Sequence, residues 1–356
     1  MKHYLYIEEG DKDISLPKEY HKINNICALI YDQLTEIYNS TDFESLKVTN
    51  VSLPNDIDLV DQLNNGAIST LEWLENNDKQ ALEVILTKQL ILAITNDLTS
   101  FMFESLSCAL RGHMTVAFAL LRKPLIDELL LLEQLLVDRE DFIKRYYYTD
   151  SSDKYDPSKT VNKKEIIEKA IQKLKCKHHF TAERIFDLRY NKSEISGYNW
   201  IMNHALHIVT SDKNYKTEKQ NLNFVFSQKE DVERYYLHYY GFIPTLLIYS
   251  VSIIDELVFD ILSPNDSSQR VIREFKRLLA LLFLVDNQKD KIDKLFDDIS
   301  KELIVECPKC KNMLSLEKAD CELYFYSNLL LCPKCFNRLL LSEDLLDKIK
   351  NVIYPK

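Results

Sequence analysis

Two Cys-Pro-Lys-Cys pairs, Cys307 with Cys310 and Cys332 with Cys335, are the residues in this chain best suited to chemistry. Cysteines spaced in this way can turn both thiolates toward one ion, and two such pairs complete a tetrahedral shell. The 21 residues between the pairs fall close to the spacing of four-cysteine zinc sites. A full four-cysteine set leaves no coordination position for a substrate, so the expected ion is one structural Zn²⁺ per chain. Cys321 lies between the pairs and is expected not to be a ligand, while Cys27, Cys108 and Cys176 are scattered. Cysteines at metal spacing rather than in a disulfide framework suit a reducing compartment.

A second group of candidates lies in residues 100–137, SFMFESLSCALRGHMTVAFALLRKPLIDELLLLEQLLV. At 100° per residue Arg111, Thr115, Arg122 and Glu133 fall within about 40° of one direction on a largely apolar helix. Charges there need partners on other helices, because an unpaired buried charge costs several kcal/mol. Arg122 and Glu133 are therefore expected in a buried polar network. Pro124 removes a backbone donor and should kink or divide this helix near Arg122. A third group is Trp200, His204, His207 and Ser211, which share a face if the helix continues through them. An imidazole there suits proton transfer near neutral pH, and two at this spacing suit a metal. The plainer alternative is a pair of hydrogen-bonded, half-buried histidines.

Residues 159–192 hold ten Lys or Arg against four Asp or Glu. This basic segment is either an RNA-backbone patch or an amphipathic helix with lysines outside, the apolar Ile166, Ile167, Ala170, Ile171 and Leu174 favouring the helix. Cys176, His178 and His179 at its end lack a fourth ligand at usual spacing. They are expected at a helix terminus, with the histidines on its C-terminal dipole.

The elements that must position these groups are mainly helical. Glycine is scarce, only five residues, and no phosphate-cradling glycine motif can be assembled from them. Few glycines and nine prolines favour long helices over a turn-rich β fold. Helical spacing is clear in residues 18–38 and from about Ile68 into the central stretch, and again in 235–261 and 269–300. The 235–261 pattern should break or kink around Gly241 and Pro244, and Ser263, Pro264, Asn265 and Asp266 should end it. Residues 40–66 look irregular. Asp150 to Thr160 is a polar loop. Residues 3–7 alternate as a short strand or arm would. The expected organisation is an N-terminal arm or strand over 1–17, a multi-helix bundle over 18–302, a small β zinc ribbon over 303–342, and a helical tail over 343–356.

The net charge of −10 argues against broad attraction to nucleic acid or anionic lipid. The first residues lack the pattern of a signal peptide, and the longest uncharged apolar run, 241–254, is too short to span a membrane. A cytoplasmic protein is expected.

Residues 305–342 resemble the zinc-ribbon family through the two knuckles and the β-forming residues between and after them. One departure is that Lys311 and Phe336 stand where a glycine often follows each knuckle, which should distort both turns. From Cys307 to Leu341 the basic surplus is only two, Lys309, Lys311, Lys318, Lys334 and Arg338 against Glu317, Asp320 and Glu322. That favours a protein partner, or docking onto the helical part, over nucleic acid.

The segment RGHMTVAFALLRKPLIDELLLLEQLL resembles one in bacterial helical proteins likened to HEPN domains, with Arg111, His113, Arg122, Glu128 and His204 at the matching positions. That resemblance, over about residues 80–262, implies a bacterial stress or phage-defence setting and an RNA-binding or RNA-cleaving site using Arg111, Arg122 and His204. The HEPN ribonuclease signature R-x4–6-H has Gly197, Tyr198 or Asn199 where its arginine would stand. The expected function is accordingly a non-enzymatic interaction protein, with the RNA-directed toxin-type protein as the alternative.

Overall fold

The computed structural model describes residues 4–8, 10–11, 14–53, 57–214, 216–262, 268–284 and 289–354. In the first described segment Tyr4 and Leu5 form a turn and no residue pairs with a described strand, yet Leu5 and Ile7 are buried. Side chains of the first helix, α1 (His21–Asn39), replace the missing strand. Asn24 donates to the Leu5 carbonyl at 2.8 Å, and Asn25 donates to and accepts from Ile7 at 2.9 and 2.8 Å. Of the strand or arm expected over 3–7, the described residues form an arm clasped by two amides, with His3 outside the described residues. The described part of residues 40–66 is not wholly irregular, holding α2 (Glu44–Lys47) and α3 (Ile57–Asn64), followed by α4 (Thr70–Asn77), while the breaker Pro54 lies outside the described residues.

The helix expected over 100–137, kinked or divided near Arg122, is three pieces. α5 (Lys79–Leu110) ends at Arg111, and Gly112 turns the chain at φ 81°, a backbone conformation that strains any residue with a Cβ. α6 (Met114–Leu120) then folds back onto α5, where Ser105 donates to the Ala117 carbonyl at 2.8 Å. The chain divides just before Arg122, as expected, with α6 ending at Leu120 and Leu121 in a turn, while Pro124 itself leaves the following stretch unbroken. That proline sits in a widened π turn, Lys123–Glu128, which runs straight into α7 (Leu129–Val137).

α8 (Arg139–Tyr147) precedes the polar loop, which contains only two short 3-10 turns. α9 (Lys163–Lys173) buries Ile167, Ala170 and Ile171 and turns its lysines outward, and α10 (Ala182–Arg189) packs beside it. α11 (Tyr198–Leu206) starts at Gly197, where a Cβ would lie 2.8 Å from the Asp187 carbonyl.

α12 (Lys229–Leu262) runs unbroken through Gly241 and Pro244, where an interruption was expected. Tyr239, Phe242, Leu246, Tyr249 and Ile253 are buried along it, so packing against its neighbours outweighs one lost backbone bond. Among the described residues it is the one helix long and apolar enough to cross a membrane, and 89% of its most apolar window is buried inside the protein. The expected stop at 263–266 lies outside the described residues.

α13 (Ser268–Leu284) carries Arg270, Arg273, Glu274 and Arg277 into the interior, each at most 4% exposed. Asp255 of α12 accepts from Arg273 Nε at 2.9 Å and Nη2 at 2.6 Å, and from Arg277. Glu36 and Gln33 of α1 complete the set: Arg273 reaches Glu36 at 2.7 Å and the Gln33 carbonyl at 2.8 Å, and Arg277 reaches the Gln33 side chain at 2.7 Å. Burial alone would raise the Asp255 carboxyl, but Arg273 and Arg277 hold it below its ordinary value.

α14 (Lys289–Glu302) leads into two hairpins. β1 (Ile304–Glu306) pairs antiparallel with β2 (Met313–Ser315), α15 (Lys318–Ser327) intervenes, and β3 (Leu330–Leu331) pairs with β4 (Arg338–Leu339). α16 (Glu343–Ile353) returns to pack on α13 and α14. The protein is therefore a multi-helix bundle with a small β region near its C-terminal end. The β region shares the core of the bundle: Phe283 of α13 meets Phe296 of α14 and Phe325 of α15 at 5.7 and 5.4 Å.

Candidate metal centre

Each Cys-Pro-Lys-Cys pair forms the same tight turn. Cys307 N–H donates to the Asn312 carbonyl and Lys311 N–H to the Cys307 carbonyl, both at 2.9 Å. Cys332, Asn337 and Phe336 repeat those two bonds at 2.9 and 2.8 Å. Lys311 and Phe336 sit at φ 57° and 53°, so both adopt the left-handed conformation that glycine would take at less cost. The expected distortion is absent.

The two turns face each other and bring the four sulfurs within 4.8 Å of one another. Cys307 Sγ lies 3.6 Å from Cys335 Sγ, and Cys310 Sγ lies 3.7 Å from Cys332 Sγ. A tetrahedron with metal–thiolate bonds of about 2.3 Å has edges of about 3.8 Å, so the donor set fits one ion. Backbone N–H groups of Cys310 and Lys309 aim at the Cys307 sulfur and lower its pKa. Cys307 and Cys332 are fully buried, whereas Cys310 and Cys335 reach the surface. Cys321 lies apart in α15, buried, where loss of solvent pushes its thiol to about 12.

The other candidates do not assemble as the helical wheel implied. Arg111 is exposed beyond the end of α5 and donates from Nε to the Ser107 carbonyl at 3.1 Å. Arg122, expected in a buried network, has a half-exposed side chain paired with Asp127 at 3.5 Å. The π turn is the physical reason: its i→i+5 bonding adds a residue to the turn and shifts the helical phase between Arg122 and Glu133. Arg122→Ala should therefore change stability by less than about 0.5 kcal/mol in chemical denaturation, as for other exposed ion pairs. A loss of about 2 kcal/mol or more would contradict this placement.

Glu133 is fully buried, and its partner is Arg189, a residue the sequence did not single out. Arg189 donates to Glu133 at 2.5 Å, to the Leu125 carbonyl at 2.7 Å and to Tyr190 Oη at 2.8 Å. Tyr190 in turn donates to the Ile126 carbonyl, and Tyr249 donates to Glu133 at 2.7 Å. The widened turn carries Leu125 and Ile126, so this network completes its backbone hydrogen bonding. Glu128, in the same turn, lies 3.3 Å from Lys123, and burial raises its carboxyl to about 8.

The shared face of Trp200, His204, His207 and Ser211 is also incomplete. α11 ends at Leu206, leaving His207 exposed in an extended backbone conformation with Ser211 beyond it. His204 lines a pocket with Trp200, Arg234 and His238, and neither Arg111 nor Arg122 is among its lining residues. His178 and His179 lie in a separate 3-10 turn after α9, not on its terminus. Burial lowers His179 to about 4, so it is neutral, contrary to the expected dipole contact. Lysines of the basic segment pair with acids: Lys164 with Glu183, Lys169 with Glu165, and Lys192 with Asp212.

No protein family, curated protein or solved structure matches the chain.

Proposed function

We propose that this is a non-enzymatic, cytoplasmic interaction protein whose four-cysteine centre holds a structural Zn²⁺. The carrying observation is the donor set itself: four thiolates at tetrahedral spacing suit Zn²⁺ and leave no place for a substrate. A reducing compartment keeps such thiolates available to the metal. α15 occupies one side of the ribbon against the bundle. Its rim leaves Met313, Phe336 and Leu340 at 59%, 77% and 73% exposure, interspersed with exposed Lys309, Lys334 and Arg338. Apolar side chains within a basic rim suit a protein segment with apolar anchors and acidic flanks. The RNA-cleaving alternative requires Arg111, Arg122 and His204 to act at one place. The His204 pocket is lined by neither arginine, which favours the interaction reading.

A photo-crosslinking residue at Phe336, compared with the same residue at exposed Lys301, tests the rim. The expected product is an adduct from position 336 to an apolar segment flanked by Asp or Glu, weakened when Lys334 and Arg338 are changed to Glu. Equal labelling at both positions, or adducts only to RNA, would overturn the proposal.

A further inference from the structure

The pocket beside His204 is built from three elements. α11 supplies Trp200 and His204, α12 supplies Arg234, Tyr235 and His238, and the connection between these helices supplies Phe224. That connection of 22 residues has no helix or strand among its described residues but is cross-tied internally. Thr217 N–H donates to the Thr210 carbonyl at 3.0 Å, Asn223 N–H to the Ile208 carbonyl at 2.8 Å, and Asn223 Nδ2 to the His207 carbonyl at 2.7 Å. Trp200 Nε1 fastens the same loop by donating to the Asn214 carbonyl at 3.1 Å. Long loops packed in this way are most often binding loops.

Its aromatic lining is held at a cost. Phe224 sits at φ 61°, rare for a bulky side chain, and stacks on Tyr235 with ring centroids 4.3 Å apart. Trp200 lies 4.5 Å from His204 and 5.9 Å from His238, centroid to centroid. His238 has its pKa lowered by burial and then by Arg234, so it is neutral near pH 7 and offers one donor and one acceptor. Its ring nitrogens meet no hydrogen-bond partner among the described residues. Arg234, two-thirds exposed at the mouth, is steadied by Asp231 at 3.0 Å.

We infer that this pocket binds a single nucleotide, its base against the aromatic side chains and His238, its phosphate at Arg234. The cavity, about 170 Å³, is below the roughly 300–1,000 Å³ of sites that enclose a drug-sized ligand, so it admits one ring system and leaves the phosphate outside. Bases stack on aromatic faces with little sequence preference, a neutral imidazole can donate or accept one hydrogen bond at a base edge, and a guanidinium fits two phosphate oxygens. With the chain at −10, recognition of one nucleotide suits it better than tracking a long phosphate backbone. The inference rests on residues separate from the zinc ribbon and stands or falls independently of the interaction reading.

The test uses the full chain, the four ribonucleoside monophosphates, the matching nucleosides and an eight-nucleotide single-stranded RNA, followed by tryptophan fluorescence and calorimetry. Saturable binding of a monophosphate, about tenfold tighter than its nucleoside, is expected. Arg234→Gln should abolish that tenfold difference without lowering the melting temperature, and His238→Phe should weaken nucleotide and nucleoside alike. Binding of the monophosphates identifies a free nucleotide as the source, and binding of the RNA alone identifies a strand end or an unstacked base. No saturable binding of either, or unchanged affinities in Arg234→Gln and His238→Phe, would overturn the inference.

Discussion

Replacing Cys307 with serine is expected to take bound zinc from one ion per chain to near none and to unfold residues 303–342. Two hairpins with strands of two or three residues have little core of their own. Structural zinc supplies about 10–16 kcal/mol of apparent binding free energy in small zinc modules, far more than such hairpins provide. A serine hydroxyl is a poor substitute for thiolate, and Cys321, buried in α15, is not positioned to replace it. Elemental analysis of reduced, chelator-free protein gives the stoichiometry, and hydrogen exchange locates the unfolding. Cys335→Ser should behave alike, whereas Cys321→Ser should keep its zinc. Zinc-free wild type, or loss of the ion in Cys321→Ser, would remove the assignment.

Asp255→Ala should be the most damaging single substitution in the helical part, costing about 3–5 kcal/mol or more. One carboxylate there serves Arg273 and Arg277, both 2% exposed, so its loss strands two buried guanidiniums. Glu36 binds a different nitrogen, Arg273 Nη1, and Gln33, which shares Arg273 Nη2 and Arg277 Nη1 with Asp255, carries no charge to replace the lost carboxylate. Glu36→Ala is the control, because that side chain is 49% exposed and should cost under about 1 kcal/mol. Denaturant midpoints for the two variants settle the comparison, and similar losses would show that Asp255 has no special place. The sign with pH follows from its depressed pKa. The stabilisation is complete above the unfolded carboxyl value near about 3.9 and is lost as pH falls through the lower folded value.

The four-cysteine cluster was legible because a knuckle is local: two cysteines separated by two residues, and a second copy, contain nearly all the geometry. The helical class was legible from composition and spacing for the same reason. Arg122 was misplaced because counting at 100° per residue holds only along a regular helix, and the stretch bends at Gly112 and widens at Lys123–Glu128. Glu133 was recognised as buried, but Arg189 lies 56 residues away, and no local spacing links them. The Asp255 cluster was missed although α13 carries arginines at positions 270, 273 and 277 with Glu274, a helical repeat that would equally suit a solvated face. His238 escaped notice because Trp200, His204 and Phe224, which line the pocket with it, come from another helix and a loop.

The ribbon leaves the bundle through α14 and returns through α16, and these two helices touch each other. Lys348 of α16 also holds the Ile304 carbonyl at 2.8 Å, and Tyr354 beyond it bonds Glu274 of α13. A ribbon that has lost its ion is therefore a closed loop of about 40 residues, not a free tail. Closing a loop of that length costs several kcal/mol of chain entropy, growing only slowly with its size. The bundle meets that cost before any metal arrives, so the four thiolates need search only the volume of a tethered ring. The intact protein should consequently retain zinc against a chelator that strips the same ribbon sequence released as a peptide.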